Sequence, residues 1–124
     1  MKKDDRAFSV LYYEKADGSF PAEKFILEQD FKMQAKLFSL LELLEERGNE
    51  LREPYSKFLE DGIFEIRAKQ GSNITRVLYF FVVGKKIILT HGFTKKTQKT
   101  PPSEITTAKG YRSDYYNKEA NKNG

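Results

Sequence analysis

The sequence predicts a compact α+β domain: an antiparallel sheet of about four strands with helices packed on one face. Three observations carry this expectation. Residues 63–93 hold three β-branched and aromatic runs, "IFEIRAK", "ITRVLYFFVV" and "IILTHGF", separated by the turn signals "QGSN" and "GKK". Residues 31–47 place Met33, Leu37, Leu40, Leu41 and Leu44 at three- and four-residue spacing, the stripe of an amphipathic helix. No apolar run approaches the roughly 20 residues that span a bilayer, and 124 residues fit one domain, taken as 1–124.

The elements follow in order. "FSVLYY" (8–13) reads as a first strand that ends at Asp17–Gly18. Ser19 and Pro21 open a short helix to about Gln29, with Phe25 and Ile26 inward, because proline is tolerated where the first turn needs no N–H. The striped helix ends at Gly48, a residue suited to a left-handed cap. Residues 49–62 carry Pro54 and no clean period, so they read as a loop or a single short turn.

In the next strand, alternation puts Phe64, Ile66 and Ala68 on one face and Glu65, Arg67 and Lys69 on the other. The run from Ile74 to Val83 is apolar nearly throughout, as in a central strand covered on both faces, with Arg76 the exception. Pro101–Pro102 stops the third strand's exit. Ser103–Glu104 starts a last helix to about Lys118, and 119–124 is expected to fray. With the helices on one face, the other face is left for a ligand, and Arg67 points toward it.

Charge is unevenly spread. Between Ile66 and Ser103 there are eight basic side chains (Arg67, Lys69, Arg76, Lys85, Lys86, Lys95, Lys96 and Lys99) and no Asp or Glu. The other 14 basic residues share the rest of the chain with all 18 acidic ones, so the formal +4 hides a basic sheet in a mildly acidic frame. Such segregation attracts phosphate. With one His, no Cys and no carboxylate after Glu65 in the sheet region, no metal or cofactor is expected. Absence of Cys fits a reducing compartment, and "MKKDDRAF" lacks the apolar core of a signal peptide, so a cytoplasmic protein without a membrane anchor is expected.

Arginine and lysine at strand positions and strand ends suit metal-free RNA cleavage. There the substrate's own 2′-OH attacks the adjacent phosphate, and fixed cations neutralise the growing negative charge. Arg67, Arg76, Lys95 and Lys96 are the candidate catalytic residues, with Lys69, Lys85, Lys86, His91 and Lys99 as RNA contacts. Arg76, alone in an apolar strand, reads equally well as a buried structural pair with Glu65 or another carboxylate. His91 reads more readily as a satisfied sheet histidine than as a catalyst.

The combination Gly62-x-Phe64-Glu65-x-Arg67, Arg76 in the next strand, and His91-Gly92-Phe93-x-Lys95-Lys96 followed by Pro101 resembles the RelE/ParE superfamily of bacterial type II toxins. It looks most like the HigB-type, phage-derived branch. The resemblance runs from about Leu59 to Ala108, with the preceding strand and helix pair in the family's order. It implies a RelE-like fold and a toxin that enters the ribosomal A site and cuts mRNA. It also implies neutralisation by a cognate helix-turn-helix antitoxin of HigA type. Arg67 and Arg76 match the family's basic sheet positions, and Lys95 and Lys96 its basic strand-end motif. Some members of the superfamily place a C-terminal Tyr or His in the site, and neither Tyr111, Tyr115 nor Tyr116 aligns with one. Rival readings are a ParE-like poison of DNA gyrase, a non-catalytic nucleic-acid-binding module, and a degenerate prophage protein that retains only antitoxin binding.

Overall fold

A five-stranded mixed sheet in the order β1-β5-β4-β3-β2 forms the centre of the computed structural model, which describes residues 7–123. The reading of the N-terminal "MKKDDR" falls outside the described residues. The elements are β1 (Ser9–Tyr12), α1 (Pro21–Leu27), α2 (Phe31–Arg47), a 3-10 turn (Gly48–Glu50), β2 (Ser56–Glu60), β3 (Ile63–Gln70), β4 (Asn73–Val82), β5 (Lys86–Lys95) and α3 (Pro102–Asn123). The α+β class and the β3-β4-β5 antiparallel meander agree with expectation.

Three expectations are corrected. The sheet has five strands, because the segment expected to be a loop contains β2, which pairs with β3. The turn between them is Asp61–Gly62, both at positive φ (48° and 77°), the pattern of a two-residue hairpin. The sheet is not purely antiparallel: β1 runs parallel to β5, from Ser9 opposite Lys86 to Tyr12 opposite Leu89. Finally, the helices do not share one face. Helices α1 and α2 cover one side, where Ile26, Leu37 and Leu44 pack on Ile66, Val77 and Leu89. Helix α3 covers the other, where Ala108, Tyr111 and Tyr115 pack on Tyr13, Leu78, Phe80 and Ile88. The apolar residues of β4 alternate onto both sides, so leaving either one bare would expose large side chains to water. Helix α3 also continues to Asn123, past the expected fraying point.

Asp30 caps α2 by accepting from the Met33 N–H at 2.8 Å. Across the sheet, the Tyr79 hydroxyl lies 2.6 Å from Ser56 Oγ and ties β2 to β4. Burial pushes the Tyr79 phenol up to about 12. Register matters most at Thr90. Leu89 pairs with Tyr79 and His91 with Leu78, so Thr90 is the extra residue of a β-bulge. The bulge inverts the alternation of β5, so that His91, Phe93 and Lys95 join Ile88 on the α3 side. Gly92 is then turned to α1, where a Cβ would stand 2.3 Å from the Phe25 ring and 2.9 Å from the Arg76 carbonyl.

Candidate nucleic-acid interface

At the end of the sheet where β3 and β5 finish, the α3 face turns from apolar to charged. Arg67, Arg76 and Phe93 form one row across three strands, and Lys69, Ile74 and Lys95 form the next. Lys69 and Lys95 are therefore two strand spacings apart, about 10 Å. Both are exposed, as are Lys96 and Lys99 in the segment that leaves β5. That segment, 96–101, folds back over the sheet before α3 begins.

Beneath it lies a buried charged network. Glu65 and Arg76 are both 0 % exposed, and Thr100 is buried with them. Glu65 Oε2 is 3.1 Å from Arg67 Nε and Oε1 is 3.7 Å from Arg76 Nε, while Thr100 Oγ1 donates to Oε1. The two arginine contacts are ion pairs and not hydrogen bonds: the Arg76 contact is too long, and the closer Arg67 contact is misaligned. Arg76 Nη1 donates to Ile74 O and Lys95 O of the strands, and the Nη2 groups go to the overlying backbone. Arg76 Nη2 donates to Gln98 O at 2.9 Å and also to Thr97 O, and Arg67 Nη2 donates to Gln98 O at 2.7 Å. Burial pulls the Arg76 guanidinium below its ordinary value, partly offset by Glu65, with Arg67 adding to the depression. The Phe93 ring, 5.3 Å from the Arg76 guanidinium carbon, closes the site from the β5 side.

These contacts sort the sequence-predicted residues. Lys69, Lys95, Lys96 and Lys99 come together as an exposed basic rim. Arg67 stands at its inner edge, 12 % exposed. Arg76 does not reach solvent, so it acts on the rim only by holding the 97–98 backbone; of its two readings, the geometry matches the structural pair with Glu65. The expected open face is occupied by α3 and by this segment. Lys85 and Lys86 lie at the other end of the ten-residue β5. They are roughly 30 Å from Lys95 at about 3.3 Å per residue, so they do not join the cluster.

His91 is a satisfied histidine. Its Nε2 is 2.9 Å from Glu104 Oε1 and its Nδ1 is 3.1 Å from Thr90 Oγ1. A carboxylate only accepts, so Nε2 carries the proton, while the Thr90 hydroxyl beside Nδ1 also donates to Leu78 O at 3.2 Å. Burial pulls the His91 pKa down, and Glu104 opposes that shift. The ring meets Tyr111 edge-on at 5.8 Å.

Sequence reasoning missed Thr100 and the carbonyls of Thr97 and Gln98. It also missed Lys36 of α2, whose Nζ donates to Lys69 O at 2.9 Å. Glu65 and Arg67, on one strand face, were the available signal for the network. Nothing local in the sequence announces that residues 97–100 fold back onto them. Among the described residues no three His, Asp or Glu side chains gather as metal ligands, and no helix is long and apolar enough to cross a membrane.

No curated protein matches the chain. Residues 24–112 match the family described as "Phage derived protein Gp49-like (DUF891)". That span contains the last turn of α1, all of α2, the strands β2 to β5, the buried Glu65–Arg76 network, the basic rim and the first half of α3. The chain belongs to the Gp49-like family of phage-derived proteins.

Proposed function

We propose that this protein is the toxin of a type II toxin–antitoxin pair and that it cuts ribosome-bound mRNA without a metal ion. The observation that carries the reading is the exposed rim of Lys69, Lys95, Lys96 and Lys99, with Arg67 beside it, set on a rigid buried support. Membership of a phage-derived family related to such toxins supports it. In the reaction, the 2′-oxygen forms a bond to phosphorus as the bond to the 5′-oxygen breaks. The products are a 2′,3′-cyclic phosphate and a 5′-hydroxyl. Arg67 and the rim lysines neutralise charge on the non-bridging oxygens, and Lys95 or Lys96 moves a proton. Glu65, Arg76 and Thr100 are positioning residues that hold the 96–100 segment. The partner is a helix-turn-helix antitoxin, and the cellular setting is the cytoplasm.

A second reading, a binding module that holds RNA without cutting it, is favoured by one observation. Arg67 and Arg76 spend donors on Gln98 O instead of presenting them to solvent. Inducing wild type, Arg67→Ala and Lys95→Ala/Lys96→Ala in bacteria, with growth and primer extension followed together, separates the readings. Growth arrest with new mRNA 5′ ends, lost in the folded variants, supports the toxin. Arrest with intact mRNA and a DNA-damage response indicates a gyrase poison, and no arrest indicates the module or a degenerate toxin.

A further inference from the structure

A groove of about 570 Å3 runs between α2 and the free edge of β3, beside the basic rim, with which it shares Arg67 and Lys69. Its floor is aliphatic: Ala35, Leu40 and Leu43 from α2 and Ala68 from β3, with Tyr55 as one wall. Leu40 and Leu43 are only half-buried and Tyr55 is 48 % exposed, so the floor is open to solvent. Its charged lining is wholly basic, comprising Lys36, Arg67 and Lys69.

The strand edge beside it is unfinished. Strand β2 pairs with β3 only as far as Ser56 opposite Ile66, and Tyr55 O accepts from Arg67 N at 3.0 Å. Beyond that point the outward-facing backbone belongs to Lys69, whose carbonyl is met by the flexible Lys36 ammonium and not by a strand. An exposed edge next to an apolar groove is the arrangement that receives an added strand.

We propose that this groove docks an extended acidic segment of a partner protein. Aliphatic side chains of the segment, at alternate positions, enter between Leu40, Leu43 and Ala68. The acidic ones between them meet Lys36, Arg67 and Lys69. Charge complementarity fixes the sign of the partner, and the strand edge fixes its extended form. An aliphatic floor with one aromatic ring does not make a stacking track for bases, which is why protein is favoured over RNA. The inference goes beyond RNA cleavage and stands whether or not the basic rim cuts.

The test uses the full chain and a labelled synthetic peptide alternating Glu and Leu, read by fluorescence anisotropy. A Lys–Leu peptide and a short single-stranded RNA serve as the other probes. Binding of the Glu–Leu peptide alone is expected. In the Ala35→Glu/Ser39→Glu variant, whose two sites are exposed, that binding is expected to weaken roughly tenfold through like-charge repulsion. Unchanged far-ultraviolet circular dichroism establishes that the variant is folded. Equal binding of the two peptides, no binding of the Glu–Leu peptide, or peptide affinity unaffected in the folded variant would overturn the proposal. So would loss of RNA affinity in that variant, which would make the groove an RNA site.

Discussion

Replacing Glu65 with alanine would leave two arginine charges under the 96–100 segment without their carboxylate, and Thr100 without its acceptor. Removing one partner of a buried ion pair costs roughly 3–5 kcal/mol, so Glu65→Ala should lower unfolding free energy by about that amount in urea titration. Glu65→Gln, which keeps an acceptor for Thr100, should cost less. His91 makes a prediction about pH. Its folded pKa lies below the ordinary 6.5, so as pH falls through about 6.5 the unfolded chain takes up the proton first. Stability should therefore fall from neutral pH toward pH 5, and His91→Gln should flatten that part of the profile. At this scale the sequence was partly legible. Alternation placed Glu65 and Arg67 together, and the single Arg in an apolar strand marked Arg76 as special. That Arg76 is covered depends on residues 97–100 folding back over it, a long-range contact with no local pattern.

Among the elements, β5 shows how a bulge sets a functional face. Without Thr90 as the extra residue, His91, Phe93 and Lys95 would lie under α1 and the basic rim would lose its β5 side. Gly92 is what lets α1 approach there. Gly92→Ala should destabilise by about 1–3 kcal/mol through overpacking against Phe25. Phe25→Ala in the same chain should make the added methyl less costly, a coupling measurable in a double-mutant cycle. The α2 stripe and the three-strand meander were legible because each is written in a local period. Strand β2 carried a readable signal in Asp61–Gly62, the preferred hairpin dipeptide, which Pro54 and the exposed Phe58 obscured. The parallel pairing of β1 with β5 joins residues far apart in the chain and has no such signal.

For the whole molecule, the separation of charge seen in the sequence becomes a separation in space, but along a different line. Six of the eight basic side chains between Ile66 and Ser103 gather at one end of the sheet, one of them buried, while Lys85 and Lys86 stand at the other. If RNA lies along the rim, its affinity should fall with salt. Lys95→Ala/Lys96→Ala should reduce the slope of log affinity against log salt by about 0.7 for each phosphate that is no longer neutralised. Lys85→Ala/Lys86→Ala should change it less. The most direct test of the central claim is cleavage of a defined mRNA on purified bacterial ribosomes by wild type and by Lys95→Ala/Lys96→Ala, with the new ends analysed chemically. Wild type should leave 2′,3′-cyclic phosphate and 5′-hydroxyl ends, the folded variant should not cleave, and a message carrying a 2′-deoxy sugar at the cut site should stay whole. Intact message with wild type, or equal cutting by the double variant, would contradict that claim.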